Sequence, residues 1–355
     1  PMILSKYSFK SMFMAIFVTL VAIGLIDYVM ALLNELNYRL DGAYQAQQAF
    51  WFITLTTPGR LYAFFPYICL IGVLFVFGTI ADHRELVIIE STGLSKGKII
   101  ARTLYGPIVW LILAFGIGES LVPKLDQQGY ELRNVAAAQG STQYGVWHRD
   151  QDTYYFFKAV KKDGSVAAGF SVKSDTLTDA MIYDSFDAIS LTDAGDWQFN
   201  GLARYTNQSG TAWQNEFSGQ SEPWDTSLTP DLLWLLTSPD AKLSVFKLFE
   251  YSNYLSAQQL SDDNFRLQFW QRVLQPVLSL ALIWLAITFI FGPLRQSSTG
   301  ARIFIGLMLA ISFNLIQSLI APLASTINLP EFFAAAIPVA LAASIALVLQ
   351  FKKAL

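Results

Sequence analysis

A chain must give solvent whatever surface it does not bury, and six runs of this one cannot be given to water. Residues 9–33, 61–80, 99–122, 267–291, 302–325 and 331–351 are apolar, with at most two charged residues in each. About 20 mostly apolar residues cross the hydrocarbon core of a bilayer as an α-helix, so each run has the length of a span. The chain as a whole is 53% hydrophobic and 14% charged, whereas soluble domains carry about 25% charged residues. The implied fold class is an α+β membrane protein: six transmembrane helices, with a polar block inserted between helices 3 and 4. Its expected domains are helices 1–3 over 1–122, an outer domain over 123–264 and helices 4–6 over 265–355. The first run follows Lys6 and Lys10 as a signal peptide would. It is too long for a signal core and has no small-residue cleavage site behind it, so it reads as a retained helix. Residues 43–57 read as a separate interfacial helix, with Trp51 at headgroup depth.

Lysine and arginine set the orientation. With the N-terminus inside, the inner segments hold Lys6, Lys10, Arg84, Lys96, Lys98, Arg102, Arg295, Arg302, Lys352 and Lys353. The outer segment before span two holds only Arg39 and Arg60, and the loop near 323–330 has no charge. That bias satisfies the positive-inside rule, with both termini cytoplasmic and 123–264 outside. Within the outer block, short runs rich in aromatic and β-branched residues cover 143–149, 153–161, 167–173, 180–186, 197–205 and 211–217. Turn signals such as Lys162-Asp163-Gly164 and Asp193-Ala194-Gly195 separate them, a pattern that implies a β-sandwich or related open barrel. Splayed sheets would form an apolar groove able to hold lipid; a closed sandwich would only dock partners. Residues near 240–258 read as helical.

No catalytic constellation is visible. His83 and His148 fall on opposite sides of the membrane and cannot share a metal. His148-Arg149-Asp150 imitates a kinase loop without its downstream asparagine. The Gly93–Lys98 string is one residue short of a phosphate loop, with Ile99 in place of the hydroxyl residue. Cys69 lies in an apolar run and reads as a buried filler. The chain therefore has no ATP site of its own and no cofactor or metal site, and it does not read as an enzyme.

Two features carry function instead. The inner segment 81–95 reads as a short helix with an acidic start, an apolar middle from Leu86 to Ile89 and a stop at Gly93. Such a helix either lies on the membrane or enters a groove of a soluble partner, with Glu85 and Glu90 at the rim. At the outer face, Arg39, Arg60, Lys124 and Arg133 sit at phosphate depth, where they either snorkel to headgroups or bind phosphate.

Several strings add a resemblance. Phe65-Pro66, Arg84-Glu85-Leu86-Val87 with Gly93, Gly118-Glu119 with Pro123, Ser238-Pro239-Asp240-Ala241, Trp270 with Gln275-Pro276, and Phe289 to Arg295 (FIFGPLR) with Gly300 recur in one order. In these the chain resembles the LptG-type permeases of the lipopolysaccharide export system, within the LptF/LptG family. The resemblance spans nearly the whole chain, and its FGPLR string favours the G-type over the F-type sister. It implies six helices with a periplasmic β-jellyroll in the inner membrane of a Gram-negative bacterium. It also implies an LptF-type sister permease, a cytoplasmic ATPase dimer that binds the ATP, and a single-span LptC-type jellyroll protein. The implied work is to extract lipopolysaccharide from the inner membrane and pass it to a periplasmic bridge toward the outer membrane. The segment holding Arg84, Glu85, Leu86 and Glu90 becomes the ATPase-coupling helix, with Glu85 as its acidic residue. Arg133 falls on a family position that meets lipid A phosphate. Other basic family positions are Tyr130, Ala31, Asn37, Tyr38 and Gly59 here, with Arg39, Arg60 and Lys124 near enough to substitute. The competing classes are a secondary lipid or solute transporter and a membrane-anchored periplasmic sensor or structural protein.

The orientation is testable in a Cys69→Ser background. An impermeant maleimide added to spheroplasts should label Gln208→Cys at once and Lys96→Cys only after lysis; the opposite order would invert the topology.

Overall fold

A computed structural model describes residues 2–39, 44–82, 104–138, 146–150, 153–158, 160, 165–166, 168–175, 180–192, 196–207, 213–224, 226, 233, 242–257, 263–291, 294, 297–327 and 329–351. The chain divides into two compact units. One comprises Pro1–Val29, Thr57–Pro123 and Leu243–Leu355; the other comprises Met30–Thr56 and Lys124–Lys242.

Among the described residues the helices are α1 (Met2–Arg39), α2 (Ala46–Asp82), α3 (Tyr105–Ser120), α4 (Val122–Ala138), α5 (Val245–Ala257), α6 (Asp263–Phe291), α7 (Thr299–Ile327) and α8 (Glu331–Phe351). Among the described residues α1, α2, α6, α7 and α8 are each long and apolar enough to cross a bilayer. The pair α3 and α4, bent by 42° at Leu121, makes up to a sixth span. The separate interfacial helix expected at 43–57 is not separate. Residues from Ala46 onward belong to α2, which continues through Pro58 and Pro66. Away from water a helix is the only way to satisfy successive backbone groups within one segment, so the chain stays helical through the prolines.

In the first unit, α2 is the axis of the core. Leu70, Val73, Leu74 and Phe77 of α2 are buried with Leu282, Leu285 and Ala286 of α6, Phe313 of α7, and Ala342 and Ala346 of α8. Small residues let these helices approach, as is usual in membrane packing. At Gly72 an added Cβ would lie 2.9 Å from Ile16 Cγ1 of α1, so only glycine admits that contact. Polar side chains add directed bonds. The Tyr67 hydroxyl donates to Gln317 Oε1 at 2.6 Å, and Trp110 Nε1 donates to the Phe13 carbonyl at 3.0 Å. Cys69 is buried and free, as an apolar filler would be.

Arg302, counted above among the inner cations, is 1% exposed. Its Nη1 donates to the Gly78 carbonyl at 2.7 Å and its Nε to the Leu294 carbonyl at 3.1 Å. It thereby ties α2 and the turn after α6 to the first turn of α7. Ser298 caps that turn, its hydroxyl accepting from the Ala301 N–H at 3.4 Å.

In the second unit, seven strands among the described residues form one antiparallel sheet: β1 (Val146–Asp150), β2 (Thr153–Phe157), β3 (Gly169–Asp175), β4 (Ala180–Phe186), β5 (Ala188–Leu191), β6 (Trp197–Asn207) and β7 (Gln214–Pro223). The order is β1-β2-β3-β4-β6-β5, and β7 also pairs with β6. The sequence reading had no strand at 188–191. That segment continues β4 past Asp187, whose N–H donates to the Asn200 carbonyl at 3.0 Å, and both halves pair with β6. Gly201, at φ +66°, lies in β6 between those two pairings, where a side chain would strain the backbone. The register of β6 with β7 shifts at several points, and such bulges bend a strand.

Register divides the side chains between two faces. Phe157 and Phe186 flank Gly169 on one face, and the Trp224 ring lies 5.9 Å from Phe157 and 5.5 Å from Phe199. That face is buried. Trp147, Phe156 and Phe170 share the other, with centroids 5.1–5.4 Å apart, and Trp147 there is 57% exposed. Phe156 and Ile182 therefore point to opposite faces.

Removing Arg302 leaves two buried carbonyls without their donor, each costing about 1–3 kcal/mol. Arg302→Ala should lower the stability of the detergent-solubilised protein by about 3 kcal/mol, and Arg302→Lys by less, read from denaturant titrations followed by tryptophan fluorescence.

Candidate functional site

An arginine in an apolar helix needs an anion or a set of carbonyls, so the arginines of this chain locate its polar sites. In the second unit, Arg133 of α4 faces Glu35 near the end of α1, with Nε 3.1 Å from a carboxylate oxygen. Both side chains are nearly covered, at 13% and 10% exposure. The guanidinium carbon lies 4.7 Å from the centre of the Phe52 ring and 5.9 Å from that of Tyr130, a cation–π seat. The two rings meet edge to face at 5.3 Å. Tyr44, 4% exposed, donates its hydroxyl to Glu35 Oε1 at 3.1 Å. Local sequence builds this seat. Tyr130 and Arg133 are three residues apart and lie on one side of α4. At Gly129 a Cβ would lie 3.1 Å from Thr56 Cγ2, which lets α4 come close to α2.

In the first unit, Arg60 of α2 pairs with Asp27 of α1 at 2.8 Å, and its Nη2 donates to the Thr57 hydroxyl at 3.0 Å. The candidate cations differ in setting. Lys124 is exposed on α4, nine residues before Arg133. At about 100° per residue the two point to opposite sides of that helix. Arg39 ends α1. Arg84, Glu85, Leu86 and Glu90 lie outside the described residues.

One polar cluster was missed by sequence reasoning. Glu119, at the end of α3, accepts the Val245 N–H on Oε2 at 2.6 Å and so caps α5. A carboxylate there also complements the helix dipole. Its Oε1 lies 3.7 Å from Arg272 Nη1 of α6, and the Arg272 guanidinium stands 4.8 Å above the Tyr62 ring. Gln275 Nε2 donates to the Tyr62 carbonyl. In the second unit a similar bond recurs: Asp126 accepts the Lys242 N–H at 3.0 Å. The signal available in the sequence was one acidic and one basic residue, Glu119 and Arg272, in largely apolar runs, which marks each as needing a partner without saying which. Among the described residues no group of three or more His, Cys, Asp or Glu side chains is placed to hold a metal.

The comparison with known proteins decides the family. The pattern described as "Lipopolysaccharide export system permease LptF/LptG" matches residues 6–351. The chain belongs to the LptF/LptG permease family. It is similar to the lipopolysaccharide export system permease protein LptG of Haemophilus influenzae, at 29% identity with 94% of each chain covered. The LptG protein of Escherichia coli strain K12 is 27% identical, with 99% of this chain and 98% of that one covered. The chain is thus a multi-pass membrane permease of the lipopolysaccharide export system, a transport component and not the catalytic one.

Glu119 holds both a helix N-terminus and a partly desolvated arginine. Losing one partner of a buried ion pair costs about 3–5 kcal/mol, so Glu119→Ala in this permease should unfold at clearly lower denaturant than Arg302→Lys. Glu119→Gln, which keeps an acceptor for Val245, should lie between Glu119→Ala and the unaltered protein.

Proposed function

We propose that this permease takes the G-type seat of the exporter, extracting lipopolysaccharide from the inner membrane and passing it to a periplasmic bridge. The match over 6–351, together with relatives that are both LptG proteins, is the observation that carries the reading. In this reading the partners are an LptF-type sister permease, a cytoplasmic ATPase dimer that binds ATP, and an LptC-type jellyroll protein. Both termini are cytoplasmic and the domain over 123–264 is periplasmic. Arg133 is the leading lipid-phosphate contact because it falls on the family position that meets lipid A phosphate, where an arginine can give phosphate two parallel charge-assisted bonds. Lys124, Arg60 and Arg39 supply further positive charge toward headgroups. Arg84, Glu85, Leu86 and Glu90 dock the ATPase, the apolar residues entering its groove and the acids meeting its rim.

Reversing a rim charge costs affinity for an oppositely charged partner. In the assembled complex, Glu85→Lys should reduce ATPase co-purification and ATP-driven lipopolysaccharide release by about tenfold or more, while membrane insertion is unchanged. Unaltered values for both would remove this helix from the coupling role.

A further inference from the structure

We infer that Glu35 is a built-in competitor for the phosphate site at Arg133, and that it makes the site selective for lipids carrying phosphate monoesters over ordinary phosphodiester phospholipids. The inference rests on the reading of Arg133 as a phosphate contact and concerns how that contact is controlled.

The geometry gives Arg133 an occupant already. Its Nε faces the Glu35 carboxylate at 3.1 Å while Phe52 and Tyr130 border the guanidinium. The rings orient the cation without neutralising it, so with both side chains nearly covered the guanidinium's counter-charge comes from Glu35. Removing the partner of a desolvated charge is strongly unfavourable. An incoming lipid therefore cannot simply bind a waiting cation. It must compete with a carboxylate that already faces the guanidinium at Nε.

That exchange favours one class of ligand. A phosphate monoester carries about −1.5 to −2 charges near neutral pH and three strong acceptor oxygens, against one charge and two oxygens on Glu35. A phosphodiester carries one charge, no more than the carboxylate it would displace, and in zwitterionic lipids that charge has its own cation beside it. Discrimination then comes from a repulsive element as well as an attractive one, as negative selection requires. The displaced carboxylate is also provided for. Tyr44 donates to Glu35 Oε1 at 3.1 Å, so Glu35 keeps a hydrogen bond when the guanidinium turns to phosphate.

The same motif appears in the first unit, where Asp27 occupies Arg60 at 2.8 Å. Asp27 and Glu35 are eight residues apart on α1, a little over two turns. Each arginine named as a candidate phosphate contact whose side chain is described thus carries a carboxylate from that helix.

The test uses the assembled permease complex in nanodiscs, with a bisphosphorylated lipid A and phosphatidylglycerol as competing probes. Glu35→Gln should raise phosphatidylglycerol binding and cut the preference for lipid A by about tenfold, the weight of one charge-assisted bond. Glu35→Asp, which keeps the charge on a shorter arm, should give a smaller loss of preference and serves if Glu35→Gln does not fold. The double variant Glu35→Arg with Arg133→Glu should recover the melting temperature of the native pair yet still fail to prefer lipid A. Unchanged preference in Glu35→Gln, or in Glu35→Asp where only that variant folds, would overturn the inference. So would a double variant that regains lipid A binding, since the pair would then be structural alone. Arg133→Gln tests the underlying reading by itself: unchanged lipid A binding there would remove the phosphate contact, whatever Glu35 does.

Discussion

Charged groups inside apolar helices have no water to turn to, and their partners set where several helices of this permease meet. Arg302 reaches two carbonyls, at Gly78 and Leu294, and so joins α2, the turn after α6 and α7. Arg60 meets Asp27 across α1 and α2. Arg272 meets Glu119 across α3 and α6, while the other oxygen of Glu119 caps α5. Apolar packing around α2 holds the helices together, but against a hydrocarbon solvent apolar contact alone says little about register. The polar pairs supply it. Each has a short reach and a definite direction, so a helix that slides by a turn loses its partner outright.

The second unit holds a pair of the same kind at the proposed phosphate contact. Glu35 and Arg133 are nearly covered, yet the pair lies among residues from three helical segments bordered by Tyr44, Phe52 and Tyr130 rather than in the packed axis of the helical unit. A buried ion pair is weak evidence for stability, because desolvation offsets most of the attraction. An exchangeable pair at a proposed phosphate contact has a use that a stabilising pair lacks, since the desolvation cost is met before the ligand arrives. The sheet lies on the same chain segment and has one face filled by its own aromatic residues. Its other face carries Trp147, Phe156 and Phe170, an aromatic row with Trp147 largely exposed.

Much of this was legible without coordinates. Apolar length alone gave the spans, because the thickness of a bilayer leaves no other use for such runs. Alternation and turn residues gave six of the seven described strands. The seventh, Ala188–Leu191, has only four residues and no turn signal before it, since it continues β4 past Asp187. The interfacial helix was misread for the opposite reason. Residues 43–57 carry an interfacial pattern around Trp51, whereas the helix that holds most of them, α2, runs on from Ala46 through Pro58. The family was also legible, from strings such as FGPLR that recur in order along the chain.

Which charge meets which was not legible. Asp27, Glu35, Arg60, Glu119, Arg133 and Arg272 appear in the sequence as isolated ionisable residues, and their separations, from 33 residues for Asp27 and Arg60 upward, carry no pairing information. Sequence by itself determined a multi-pass membrane protein with an inserted strand-rich block, because burial and backbone satisfaction act on composition and period along the chain, and the ordered family strings added the likeness to a permease. Only the tertiary structure decided that Arg133 already faces Glu35. A short-range electrostatic contact depends on distance in space, and local patterns do not encode that distance.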